Sequence, residues 1–304
     1  MKVLVAVDGS EYSRAAVSLA RALRLGRKAE ATILTVIPEH VFLGGGTLAD
    51  LLGRSGVLRS QMQKAEEEKA SELLGRVSKS LAAPGPEIET MIRRGSPADE
   101  IIKTCRSVPA DLVLVGFKGT SDSPEFPLGN VAHKVIRYAP CSVLVAKRRT
   151  EAVNRVLVPL DGSKHSDETV QFLLSMSLPP HAEVLVMAVL QSFAATFVKA
   201  YTLDAERDRQ IVAELQEAEE EAAKGVLTGA ESELRKGRYR VSTVIARGDP
   251  AREILREAGQ QNVDLIALGA KGLTGVRGFM LGSVAQRVAR YGKPSVLIVR
   301  PSGR

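Results

Sequence analysis

KVLVAVDGSEYS at residues 2–13 and RVLVPLDGSKHS at residues 155–166 are one twelve-residue phrase written twice, 153 positions apart. The offset holds along the chain. RRGSPADEI (93–101) falls on ARGDPAREI (246–254), ADLVLVGFKG (110–119) on VDLIALGAKG (263–272), and LGNVAHKVIRY (128–138) on LGSVAQRVARY (281–291). Four blocks in register without drift mean a duplicated domain, and the period is far too long for a solenoid repeat. The expected division is 1–149 and 150–304, which suits a chain of 304 residues. The joint near residues 147–154 is short, so the two halves are expected to pack closely.

Within each repeat, apolar runs alternate with helical spacing. In the second, VLVPL is an unbroken apolar run, as in a strand covered on both faces. Further strands are predicted at EVLVMAVL (183–190), YRVSTVIA (239–246), DLIAL (264–268) and PSVLIVR (294–300). Helices are predicted from near Ser166, over 205–235, from Asp249 and Pro250 as N-cap and first-turn residues, and over 283–290. The first repeat follows suit, with Ser96 and Pro97 opening its third helix. Strands alternating with helices predict an α/β fold: an open parallel sheet with helices on both faces. Ligands of such sheets bind at the carboxyl ends of the strands, near the switch in strand order.

Composition narrows the function. Hydrophobic content of 44% with 25% charged residues is that of a soluble globular protein. Residues 1–150 carry 22 Lys+Arg against 16 Asp+Glu, and residues 151–304 carry 20 against 19. The excess is mild and the signs are mixed, and 4% aromatic residues leave little for base stacking. No nucleic-acid partner is expected. Cys105 and Cys141 belong to no Cys/His cluster and read as ordinary thiols of a reducing cytosol. MKVLVAVDGS reads as a strand rather than a signal peptide, and no run is long enough to span a membrane. A cytoplasmic location is the expectation.

The chemistry gathers at one end of the second sheet. Asp161 ends its first strand, Val189 nearly ends its second, and GAKGLTGVRGFMLGSV (269–284) leads from the fourth strand into the last helix. Gly269 and Gly272 lack a β-carbon, so their backbone can turn sharply and touch a ligand. Gly282, Ser283 and Val284 start a helix, where free amides and the dipole favour an anion. Asp161 can accept from ribose hydroxyls or a base amine. These parts suit a nucleotide. A glycine-rich turn and, for Asp8 and Asp161, simple helix capping are the plainer readings. No GxxxxGK phosphate loop is present, and no GxGxxG follows the first strand of either repeat.

The spacing G-x2-G-x9-G-(S/T) after the fourth strand, with an Asp ending the first, resembles the universal stress protein family. Gly269, Gly272, Gly282 and Ser283 fit it in full, and the likeness extends over both repeats. The resemblance implies two tandem Rossmann-like α/β sandwich domains, each with a five-stranded parallel sheet in the order 3-2-1-4-5. It implies ATP as ligand, with Asp161 and Val189 at adenine or ribose, Gly269 and Gly272 at ribose and α-phosphate, and Gly282, Ser283 and Val284 at the β- and γ-phosphates. Mg²⁺ or Mn²⁺ would ride on the phosphates rather than on protein ligands. It also implies pairing through the last strand, here between the repeats around Val143–Ala146 and Val296–Val299, with a homodimer as a further expectation.

The first repeat departs from the pattern. It keeps Asp8, Val36, Gly116, Gly119, Gly129 and Val131 as a second site, but Asn130 stands where Ser283 does. Asp122 and Glu125 place negative charge near the expected triphosphate, where the second repeat has Arg277. Nucleotide is therefore expected mainly in domain 2. His165, which follows DGSK, could face the phosphates. No nucleophile sits with a base, so the expectation is a stress-response regulatory protein with at most weak ATPase activity. The rivals are a scaffold of the same fold that binds no nucleotide and an enzyme acting on an adenylated substrate. Against the latter, DGS stands where the ATP pyrophosphatases carry SGGxDS.

Overall fold

A computed structural model describes residues 1–23, 29–39, 56–82, 86–120, 122, 127–176, 178–179, 181–191, 209–272 and 281–301. Gly44–Gly46, Pro124, Glu125, Gly275, Arg277 and Gly278 lie outside the described residues.

The first half runs β1 (Lys2–Ala6), α1 (Glu11–Ala22), β2 (Glu30–Pro38), α2 (Gly56–Leu81), β3 (Glu87–Gly95), α3 (Pro97–Ser107), β4 (Leu112–Gly116), α4 (Asn130–Tyr138) and β5 (Ser142–Ala146). The second runs β6 (Arg155–Leu160), α5 (Lys164–Met176), β7 (Glu183–Leu190), α6 (Arg209–Lys236), β8 (Arg240–Arg247), α7 (Pro250–Gln260), β9 (Leu265–Gly269), α8 (Ser283–Tyr291) and β10 (Ser295–Val299). The strand order is β3-β2-β1-β4-β5-β10-β9-β6-β7-β8. Pairing is parallel within each half. The expected two sheets are thus joined edge to edge into one of ten strands.

Alternation along the strands divides the core between the two faces. Val3, Val5, Leu112, Leu114 and Leu144 meet Leu19 of α1, Leu23 at its C-cap and Leu74 of α2. Leu4, Val113, Val143 and Val145 meet Ile101 and Ile102 of α3 and Val135 and Ile136 of α4. Each apolar layer continues into the second half, through Val156, Val158 and Leu297 on one face and Leu157, Val296 and Ile298 on the other. β5 and β10 are buried throughout, so neither is an exposed sheet edge open to further pairing.

The joint is antiparallel and two-fold in pattern. Val296 faces Val145, Leu297 faces Leu144, and Ile298 faces Val143. Leu144 and Leu297 are the same position of the repeat, so the central position meets its own copy. The flanking bonds repeat the symmetry. The Lys147 amide donates to Ser295 Oγ at 3.3 Å and the Arg300 amide to Ser142 Oγ at 3.2 Å. Lys147 Nζ donates to the Gly292 carbonyl at the end of α8, and Arg300 donates to the Ala139 and Ile136 carbonyls at the end of α4. Each cation therefore meets the negative pole of a helix of the other half.

Candidate functional site

Both DGS sequences form the same turn. Asp8 Oδ1 accepts the Ser10 amide at 2.9 Å, and Asp161 Oδ1 accepts the Ser163 amide at 3.0 Å. Such a bond two residues onward is the usual Asp turn. It drives the intervening Gly9 and Gly162 to φ of +79° and +77°, where a side chain is strained. Helix capping falls to others. Ser10 is the N-cap of α1, and its hydroxyl accepts the Ser13 amide at 3.0 Å. The capping reading of Asp8 is thus corrected: its turn places it two residues too early. At α7 the prediction agrees with the structure, for Asp249 accepts the Arg252 amide at 2.8 Å. Ser96, in the matching place, makes no side-chain cap bond.

Freed from capping, the second carboxylate oxygen of each Asp turns toward the glycine loop. Asp8 Oδ2 accepts the Thr120 amide at 3.1 Å. In the second half, a β-carbon on Gly272 would stand 2.4 Å from Asp161 Oδ2. Only glycine lets the backbone come so close to that carboxylate. Ser166 Oγ donates to Asp161 Oδ1 at 2.8 Å, which holds the group in place. Leu160 pairs with Ala188, so the register puts Val189 level with Asp161 on the next strand. Val36 stands level with Asp8 likewise, since Ala6 pairs with Leu34.

Gly282 brings α8 to the same place. Its amide donates to the Ala270 carbonyl at 2.7 Å, and a β-carbon there would lie 3.9 Å from the Gly272 nitrogen. Gly282 is the N-cap and supplies no side chain, so Ser283 and Val284 start the helix beside Gly272 and Asp161. Ser283 is exposed. The structure therefore gathers Asp161, Gly272, Gly282 and Ser283 at the carboxyl end of the sheet, where a helix N-terminus offers amides to an anion.

Gly269 is occupied differently. A β-carbon on it would lie 2.8 Å from His165 Cβ and 3.1 Å from the His165 carbonyl oxygen, both belonging to α5. Gly116 has the same role against Tyr12 of α1 at 2.8–2.9 Å. Both glycines let the first helix of their half sit against the strand. His165 is turned to Glu168, with Nδ1 3.0 Å from Oε2.

The first half carries a feature beyond the reading of its charges. Asp122 Oδ2 accepts the Gly119 amide at 2.6 Å, and Oδ1 accepts the Asn130 amide at 3.1 Å. Gly119 and Asn130 correspond to Gly272 and Ser283. Gly129 packs directly on this carboxylate, since a β-carbon there would lie 2.2 Å from Oδ2. The repeat offset carries the signal: the position matching Asp122 is Gly275. Val131 follows in the first turn of α4 and packs against the core.

Among the described residues no group of three or more His, Cys, Asp or Glu is arranged to hold a metal ion. Nor is any described helix long and apolar enough to cross a membrane. A shallow hollow lined by Ser71, Leu74, Gly75 and Thr90 lies between α2 and the outermost strand, β3, and shares no residue with the strand-end cluster.

The sequence comparisons agree on one family, and the solved structures agree on the fold. The model of the Universal stress protein family matches residues 1–147 and again 152–300. Universal stress protein YxiE of Bacillus subtilis is 33% identical over 149 residues, which cover 48% of this chain and 98% of that protein. A universal stress protein of Mycolicibacterium smegmatis is 26% identical over 310 residues, covering 98% of this chain and 97% of its own. Among solved structures, a universal stress protein from Archaeoglobus fulgidus superposes with a TM-score of 0.63 at 20% identity, covering 98% of each chain.

Proposed function

Since the chain belongs to the universal stress protein family, we propose that it is an ATP-binding, stress-response regulatory protein whose nucleotide is held mainly by domain 2. The observation that carries this reading is the approach of Gly272 to Asp161. The 2.4 Å that a β-carbon would have leaves room for backbone only, and the approach stands beside the N-terminus of α8, whose N-cap Gly282 makes no side-chain cap bond. A phosphate chain over Gly282, Ser283 and Val284 would meet helix amides and the positive end of the dipole. Asp161 would take the sugar or base end, with Val189 beside it. Mg²⁺ or Mn²⁺ would be carried by the phosphates. ATP would order the surface around the glycine motif and so alter what a partner sees. Hydrolysis is slow or absent, and the protein works in the cytoplasm, with a homodimer as its further assembly.

The packing of Gly269 on α5 and of Gly116 on α1 favours a second reading, an interaction scaffold that binds no nucleotide. ATP content of the purified protein, and uptake at millimolar ATP with Mg²⁺, separate the two. The expected result is ATP bound by the wild type and lost in Gly282→Val, whose side chain would grow from a β-carbon 3.3 Å from the Ala270 carbonyl. No uptake by the wild type removes the nucleotide reading. A turnover above about 1 s⁻¹ removes the regulatory one, because that rate is the low end for enzymes.

A further inference from the structure

The Asp122 carboxylate bridges two backbone amides across the mouth of domain 1. One belongs to Gly119, in the turn after β4, at 2.6 Å; the other to Asn130, the first residue of α4, at 3.1 Å. These are the positions at which domain 2 presents Gly272 and Ser283. Gly129 packs directly against the same carboxylate, since a β-carbon there would lie 2.2 Å from Asp122 Oδ2. Asp8 Oδ2 holds the adjoining Thr120 amide at 3.1 Å, so three donors of this mouth are taken by two carboxylates.

We propose that Asp122 is a built-in anion which occupies the phosphate seat of domain 1 and keeps that domain closed to nucleotide, leaving domain 2 as the receptive half. The inference rests on the nucleotide reading of domain 2. Its physics is competition. An amide that donates to Asp122 cannot donate to a phosphate, and an internal ligand is present at an effective concentration of about millimolar or more. Bonds from amides to a carboxylate are charge-assisted, and a displaced Asp122 would remain beside the triphosphate with the same sign of charge. Domain 2 carries Gly275 at the matching position and has no carboxylate to offer there. The difference between the two halves therefore lies in one side chain more than in the exchange of Ser283 for Asn130, since the contact made by Asn130 runs through its backbone.

The experiment measures ATP uptake by equilibrium dialysis with Mg²⁺ on the full chain, for the wild type, Asp122→Gly, Asp122→Asn, Gly282→Val and Asp122→Gly with Gly282→Val. A seat is filled only in the state that leaves it free, so the expected amounts are about one ATP per chain for the wild type and about two for Asp122→Gly. Gly282→Val is expected to bind none and the double variant about one. Asp122→Asn removes the charge and keeps an acceptor oxygen for the loop; it guards against a loosened Asp122→Gly and should tighten domain 1 about tenfold or more. Two ATP per wild-type chain, or one in both the wild type and the folded Asp122 variants, overturns the inference and leaves the nucleotide reading standing. None in the wild type and one in Asp122→Gly supports Asp122 as the occupant of the domain 1 seat but overturns domain 2 as the receptive half. None in any folded variant removes both.

Discussion

Gly269 and Gly272 lie three residues apart in one motif, and the structure sets them against different neighbours, a difference that a single methyl group can read. In Gly269→Ala the new carbon stands 2.8 Å from His165 Cβ and 3.1 Å from its carbonyl oxygen. Carbon atoms at rest need about 3.5–4.0 Å, so α5 must move away from β9 by about 0.7–1.2 Å. Helix backbone cannot swing aside as a side chain does, and overpacking of this kind costs about 1–3 kcal/mol. For a domain of this size that lowers Tm by roughly 2–12 °C. In Gly272→Ala the carbon meets, among the described residues, the Asp161 carboxylate, with Oδ2 at 2.4 Å. The conflict is resolved by turning one carboxylate away from Ser163 and Ser166, its partners at 3.0 and 2.8 Å. Thermal melts with and without ATP read both effects. Gly269→Ala should melt early and keep its ATP-induced rise in Tm. Gly272→Ala should melt near the wild type and lose most of that rise. Equal melting of Gly269→Ala and wild type would refute the packing argument. A Gly272→Ala protein that melts early yet binds ATP unchanged would make both glycines packing residues and favour the scaffold.

Two further outcomes follow from the joint between the halves. Arg300→Ala removes the donors to the Ala139, Ile136 and Arg137 carbonyls; charge-assisted bonds to buried acceptors make the cost about 2–4 kcal/mol. Calorimetry should then resolve two unfolding steps where the wild type shows one, and an unchanged single transition counts against the joint as the coupling element. Burial pulls the Lys147 ammonium down to about 7, whereas an unfolded lysine titrates near 10.4. Between about pH 7 and 10.4 the unfolded chain holds a proton that the folded chain lacks, so this group makes stability rise with pH there and leaves it level below. The stability of the wild type minus that of Lys147→Met should therefore climb from pH 7 to 9, and a level difference speaks against the buried ammonium.

The strands and their order of duties were legible because each is short, apolar and followed by a turn residue with a physical job. VLVPL is buried enough to need apolar residues on both faces, and DGS needs the glycine because the Asp turn forces positive φ. What the sequence left open were choices between near-equal partners. Asp8 and Ser10 are both good caps, and the turn geometry decides for Ser10. Ser96 and Asp249 occupy the same place before a proline, yet only Asp249 caps. Asp249 is also held by Arg287, with Nη1 and Nη2 at 2.7 and 2.8 Å from its two oxygens. A missing β-carbon likewise does not say what fills the space. Gly269 and Gly272 read alike until one is seen against a helix and the other against a carboxylate. The charge of Asp122 was visible in the sequence, but its two amide partners depend on the loop path.

The pattern of sameness and difference between the halves has a mechanical cause. An interface around a two-fold axis is made by one patch meeting its own copy, so any change is felt twice and must be complementary to itself. Here Leu144 meets Leu297, while Lys147 and Arg300 each reach the helix end of the other half. Those positions remain chemically alike. The mouths at the far ends of β4 and β9 meet no copy of themselves, and there the halves differ, with Asp122 against Gly275 and Asn130 against Ser283. In an assembly of two identical chains a carboxylate placed in one mouth stands in both, and both close. On one continuous chain it stands in a single mouth, so one half can serve as a permanently filled brace while the other stays open to a ligand. Joining the copies is thus what makes a one-sided site physically available while one continuous sheet runs through β5 and β10.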